Sequence, residues 1–266
     1  MANLTSVLRD VAAESADLDR LVAELDESGW RMPTPAEGWT IAHQIAHLAW
    51  ADDFAALSAT DPDGFRSELS GGLAGAASVD EFVGAAAELG AQQAPAVLLD
   101  RWRAGRERVA AGLAGVAPEA KLPWLGPSMS PASMATARLM ETWAHGQDVA
   151  DALGVARTPT ARLRHVAHIG VRARAFAYVT NDKQPPEGDV RVELKGPDGD
   201  IWSWGEPDAP GRVTGPALDF CLLVTQRRHR ADLALVAEGP IADEWLDIAQ
   251  AFAGPPGAGR TPGQFA

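Results

Sequence analysis

Two short segments carry side chains whose types and spacing suit a metal ion. "EGWTIAHQIAHLAWAD", residues 37–52, sets His43 and His47 four apart, and "METWAHGQD", residues 140–148, sets Glu141 and His145 four apart. On an α-helix, positions i and i+4 lie on one face, so each pair can aim at a single point. If both segments are helices of one bundle, imidazole nitrogens and a carboxylate oxygen can meet in its core. That donor set suits Zn²⁺ or another divalent first-row ion. Spacing alone equally allows His43 and His47 to be hydrogen-bonded between helices, with Glu141 and His145 a stabilising pair on a surface.

The elements that would position these residues can be read from period and punctuation. Leu4, Val7, Leu8, Val11, Leu18, Leu21, Val22 and Leu25 recur at helical spacing over residues 3 to about 28. Thr40 is placed to cap a second helix running to about Leu57, and the Gly-rich "TDPDGFRSELSGGLAGAA" after it reads as a connecting loop. Ser78 and Glu81 have capping-box spacing and open a third helical region to about Val116, interrupted near Pro95. Ser130 as cap, Pro131 at the first helical position and Gly154 as stop bound the helix that carries Glu141 and His145. The cap-then-proline signature recurs at Thr158 and Pro159, predicting a fifth helix through "YVTND".

Beyond "KQPPEG" the period changes. "DVRVELKG", a "PDGD" turn and "IWSWGE" predict a β-hairpin, "ALDFCLLVTQRR" a helix, "LALVAEG" a strand and "PIADEWLDIAQAFAG" a final helix. The expected architecture is a helical bundle over 1–183, with a four-helix core plus an extra helix, then a small α+β domain over 189–254. The Pro/Gly-rich tail, 255–266, is expected to be flexible.

Composition narrows the partners. With 36 acidic against 23 basic residues the formal net charge is −13, so the electrostatic term opposes binding to nucleic acid or an anionic membrane. No leader pattern or long apolar run is present, and a cytoplasmic enzyme with a small-molecule substrate, monomer or homodimer, is expected. The single cysteine, Cys221, excludes an internal disulfide and a cysteine-built zinc site, and its apolar surroundings predict burial.

"EGWTIAHQIAHLAWAD" and "METWAHGQDVADALG" together resemble the metal-binding pattern of the DinB-like superfamily. The resemblance is strongest to its mycothiol-dependent maleylpyruvate isomerase N-terminal family of actinobacteria. That resemblance implies a three-ligand metal site of His47, Glu141 and His145 in the first domain. It also implies a C-terminal domain related to sterol-carrier-protein-like folds, with Arg227, or Arg228 beside it, contacting substrate or thiol. The family pattern has a non-histidine polar residue where this chain has His43. His43 is therefore read as a base or orienting group beside the ligands, with a fourth ligand or a bundle hydrogen bond as the other roles. Asp52 and Asp148 are either further orienting groups or surface carboxylates. Trp50 and Trp143 are expected near the bound thiol, unless they and Trp39 simply pack the core.

Three protein ligands leave a coordination position open, the signature of a catalytic site. A thiol bound there would be deprotonated near neutral pH, and a mycothiol-type cofactor would supply it. The expected activity is thiol transfer to an electrophile or thiol-assisted isomerisation. Activation of water would instead make a metal-dependent hydrolase, and a non-enzymatic small-molecule binding protein would need no open metal. The arginines of "DRWRAGRERV" form a basic stripe, read as a solvated face or an anchor for an anionic substrate.

Overall fold

The computed structural model describes residues 3–265. The chain divides into two compact units, 1–157 and 158–266, each described by itself.

The first unit is helical: α1 (Leu4–Val22), α2 (Glu27–Trp30), α3 (Ile41–Thr60), α4 (Pro62–Ala74), α5 (Val79–Ala91), α6 (Pro95–Ala114) and α7 (Pro131–Leu153). Helix α3 is central and packs on α5, α6 and α7, while α1 lies along α7 and α6. Ile41, Ile45 and Leu48 of α3 meet Leu98 and Trp102 of α6 and Val149 of α7 in a fully buried cluster. The caps expected from sequence set the ends of α7 and the start of α3. The Ser130 hydroxyl accepts from Ser133 N at 3.2 Å, Pro131 occupies the first turn, and left-handed Gly154 ends α7. Helix α3 begins at Thr40, whose backbone is still extended.

Residues 62–74, expected to be a loop, form α4. Asp61 caps it by accepting from Gly64 N at 2.9 Å, and Pro62 stands at the first helical position. One of the glycines that suggested a loop serves packing: a Cβ on Gly72 would lie 2.3 Å from the Phe82 ring of α5.

The second unit contains α8 (Leu163–Arg172), α9 (Arg174–Thr180), β1 (Val190–Lys195), β2 (Ile201–Trp204), β3 (Gly211–Pro216), α10 (Ala217–Val224), β4 (Val236–Glu238) and α11 (Pro240–Ile248). The sheet order is β2-β1-β3-β4, with β1 and β3 parallel and the other two pairings antiparallel. The hairpin expected at β1 and β2 is present, pairing Leu194 with Trp202, whereas β3 had not been expected. The sequence reading placed the fifth helix in the bundle, but α8 and α9 belong to this unit. Leu163, Val166, Ala167 and Gly170 form the buried stripe of α8, and α8 packs on α10. Gly170 admits Val224 so closely that a Cβ would be 2.8 Å from Val224 Cγ2. That helix also starts at Leu163, after a turn, and not at the Thr158–Pro159 signature.

Cys221 is fully buried in α10, with Sγ 3.4 Å from Leu163 O, and burial pushes its thiol pKa far up. The tail expected to be flexible lies against the second unit: Gly263 N donates to Asp232 Oδ1 at 2.9 Å, and the Arg228 guanidinium sits 4.0 Å from the centre of the Phe265 ring. Among the described residues no helix is long and apolar enough to cross a membrane.

Candidate metal centre

The ten residues before α3 fold into a tight loop that sets its first turn. Thr34 N donates to Trp39 O at 2.8 Å, Ile41 N donates to Met32 O at 3.1 Å, and Pro33 and Thr40 form an antiparallel bridge. From this start, His47 falls two turns into α3 and faces Glu141 and His145 on α7. His145 Nε2 is 3.2 Å and His47 Nε2 is 3.7 Å from the same oxygen, Glu141 Oε2. Among the described residues these three form the one His/Cys/Asp/Glu group with ligand atoms mutually within 4.8 Å.

The donor set fits a divalent ion. Metal–ligand bonds of about 2.0–2.1 Å in a tetrahedron place ligand atoms about 3.3 Å apart, close to the two separations found. The imidazole ring centres are 4.5 Å apart, and His47 Nδ1 is buried with no hydrogen-bond partner. Side-chain exposures of 13% for His47, 21% for Glu141 and 11% for His145 leave the group reachable by a small ligand. Burial acts to raise the Glu141 pKa. The hydrogen bond from His145 and the His47 imidazole beside it outweigh that and hold the carboxyl well below its usual range. A carboxylate oxygen between two imidazoles is what a divalent cation needs.

Aromatic rings wall the group. The Trp39 ring centre lies 5.6 Å from that of His47 and 6.0 Å from that of His145, the latter in a stacked arrangement. Trp50 is 6.2 Å from His47 and is fixed by stacking on Phe54 at 4.8 Å and by the edge of Phe82 at 5.5 Å. Trp143, offered with Trp50 as a contact for the thiol, is turned to another partner. It is buried beneath the Arg157 guanidinium, 5.7 Å from its ring, and its carbonyl accepts from Arg157 Nη1 at 2.9 Å. Trp39 is the ring that spans both histidines.

His43 is not brought to the group as a base. Its Nδ1 accepts from Thr40 N at 3.2 Å and meets Thr40 Oγ1 at 2.8 Å, closing a capping box at the start of α3. With Nδ1 accepting, Nε2 carries the proton and donates to Glu88 Oε2 at 2.8 Å. That bond lowers the Glu88 pKa. The residue that does touch a candidate ligand went unread in the sequence: the fully buried Gln44, whose Oε1 makes a short hydrogen bond with His145 Nδ1.

Neither aspartate considered as an orienting group is a surface carboxylate. Asp148 is fully buried, and Asp52, 4% exposed, accepts from Arg138 Nε at 2.9 Å. Burial raises the Asp52 pKa, with Arg138 opposing it. The basic stripe of α6 is partly solvated, and each of its four arginines is paired with a carboxylate. Arg101 and Arg108 pair with Asp53 of α3 at 3.0 and 2.5 Å, while Arg103 and Arg106 pair with Asp19 of α1 at 2.7 and 2.9 Å.

In the second unit, Arg227 folds onto its own turn, with Nη1 donating to Thr225 O at 2.6 Å. Arg228 lines a cavity of about 550 Å³, together with His229, Arg230 and Arg260 and with Leu223, Leu235 and Leu246.

Comparison with known proteins places the chain in a family. Residues 11–150, more than half of the chain, match the family described as "Mycothiol maleylpyruvate isomerase N-terminal domain", and residues 186–238 match one described as "Wyosine base formation". An uncharacterized protein of Mycobacterium tuberculosis, found in two strains, is 55% identical over 260 residues, covering 98% of this chain and all of the relative. Two crystal structures of the mycothiol-dependent maleylpyruvate isomerase, one a mutant, superpose with a TM-score of 0.61 at 16% identity, over 91% of this chain and 96% of theirs. At that identity the likeness is one of fold. The extent of the family match over the helices that carry His47, Glu141 and His145 shows that this chain belongs to the mycothiol maleylpyruvate isomerase N-terminal domain family.

Proposed function

We propose that this protein is a metal-dependent enzyme that uses mycothiol, or a similar low-molecular-weight thiol, as its nucleophile. The reaction is thiol-assisted isomerisation of an unsaturated acid or thiol transfer to an electrophile. The observation that carries this reading is the reachable His47, Glu141 and His145 group, in a chain of that family. Bound there, a divalent ion, Zn²⁺ by donor set, would lower the pKa of a thiol enough to make it a thiolate at neutral pH. The protein's own thiol offers no substitute, because Cys221 is buried and its pKa is raised.

The chain's residues then have separable tasks. Glu141 supplies a fixed negative charge, and Trp39 and Trp50 limit the water that reaches the nucleophile. In isomerisation, a thiol held there would supply a nucleophile that adds reversibly to the alkene of the acid, so that the double bond could rotate with no atom gained or lost. Arg227 and Arg228 are the candidates to hold a carboxylate of substrate or thiol; each guanidinium also donates to a local carbonyl, Thr225 O at 2.6 Å and Arg227 O at 2.7 Å. A soluble protein of the cytoplasm, monomeric or dimeric, fits the composition.

The test is turnover of a cis-unsaturated 2-oxo acid, and of an electrophile accepting a thiol, by zinc-loaded protein with and without mycothiol. Turnover that requires both metal and thiol, and is lost in Glu141→Gln, supports the proposal. Metal-dependent turnover that ignores the thiol would move the assignment to a hydrolase using water in the same place.

A further inference from the structure

We propose that Gln44, with Thr34 and the Trp39 carbonyl behind it, is a proton-direction relay that sets the metal-binding tautomer of His145, and so acts as a positioning residue for the metal centre. This inference rests on the proposed metal site and adds to it the group that orients one ligand. The chain of contacts is short and continuous. His145 Nδ1 meets Gln44 Oε1, Gln44 Nε2 donates to Thr34 Oγ1 at 2.9 Å, and Thr34 Oγ1 donates to Trp39 O at 2.9 Å.

Proton bookkeeping gives this chain a direction. A threonine hydroxyl has one hydrogen, and here it goes to the Trp39 carbonyl, which can only accept. Thr34 Oγ1 must therefore accept from its other neighbour, so the amide nitrogen of Gln44 faces Thr34. The amide oxygen is left for His145 and requires a hydrogen on Nδ1. Nε2, the nitrogen facing Glu141 at 3.2 Å, is then the one an ion would take, because Gln44 holds the hydrogen on Nδ1. Reversing the amide would place a donor against His145 Nδ1, favour the lone pair there, and forfeit the bond to Trp39 O.

Gln44 is fully buried, so neither end of its amide has water as an alternative partner. The relay also ends on the residue whose ring stacks over His145, so one loop fixes both the protonation and the tilt of that imidazole. His47 has no such support: its Nδ1 finds no partner, and its ring is held between Trp39 and Trp50. The two histidine ligands are thus ordered differently, one by hydrogen bonding and one by packing.

Zinc affinity, measured by competition with a chromophoric chelator, tests the relay without any assay of activity. Gln44→Met keeps length and removes the acceptor, and its Kd should rise about 10- to 100-fold, the usual effect of losing such a group. Gln44→Glu keeps an acceptor on Nδ1 and should bind zinc within about threefold of the parent. Thr34→Val, remote from the ligands, should weaken binding by a smaller factor by releasing the amide, and it decides the matter if Gln44→Met does not fold in a circular-dichroism melt. Parent-like affinity in Gln44→Met, or equal losses in the Met and Glu variants, would overturn the relay while leaving the metal site standing. Failure of the parent protein to bind zinc would instead remove the metal centre and the relay with it.

Discussion

At the scale of single residues, helical geometry makes the two i, i+4 pairs legible, while the family resemblance singles out His47, Glu141 and His145 as ligands. Two i, i+4 pairs on well-capped helices must present one face each. His43 shows where that argument stops. It shares a face with His47 by the same rule, yet Thr40 and Glu88 take both of its ring nitrogens. The clue was its position three residues after a Thr cap, where a side chain can reach back to the free backbone N–H. His43→Ala should therefore cost about 0.5–2 kcal/mol of stability, the usual value of a cap, and leave zinc stoichiometry unchanged. Denaturant unfolding and elemental analysis of the variant check both halves, and loss of metal at parent-like stability would return His43 to the metal site. Gln44 was invisible for the opposite reason: a polar side chain on the buried face of an apolar helix announces a partner but does not name it, and the partner lies 101 residues away.

At the scale of elements, caps were read more reliably than glycines. Ser130 with Pro131 marks α7, and the same signature stands at Asp61 and Pro62 ahead of α4, where the glycines alone suggest a loop. Gly72 is there because α4 approaches Phe82, which is tertiary information. Strand β3, "GRVTGP", has turn-forming residues at both ends and only one deeply buried side chain, Val213, so its alternation is too short to stand out. The arginines of α6 looked like a solvated stripe because their acidic partners are 48 to 87 positions distant. Hydrogen bonds from Arg103, opposed by burial and reinforced by Arg106, lower the pKa of Asp19 below 3.8. A carboxyl depressed on folding adds stability above its unfolded pKa and loses it as pH falls through the folded value. Asp19→Asn should thus cost about 1.5–3 kcal/mol near neutral pH, as expected for charge-assisted hydrogen bonds. The gap in melting temperature from the parent should narrow below about pH 4, since protonation removes the same charge from the parent. A gap that stays constant down to pH 2 would show that the clamp between α1 and α6 is not electrostatic.

At the scale of the whole molecule, the change from helical to mixed period near residue 185 was visible, but the division falls at 157. An amphipathic helix carries the same stripe whichever body it packs on, so α8 and α9 could not be assigned without knowing that Gly170 receives Val224. Pro and Gly content likewise does not foresee the Gly263 to Asp232 bond of the tail.

The central claim is that a small thiol engages the metal-loaded first unit. Calorimetry with mycothiol, in buffers of differing ionisation enthalpy and with zinc-loaded and metal-free protein, tests it directly. The account predicts one binding site on the zinc-loaded protein, release of a proton near neutral pH as the thiol becomes a thiolate, and loss of that binding when the metal is removed. No binding, or binding undiminished in the metal-free protein, would contradict it.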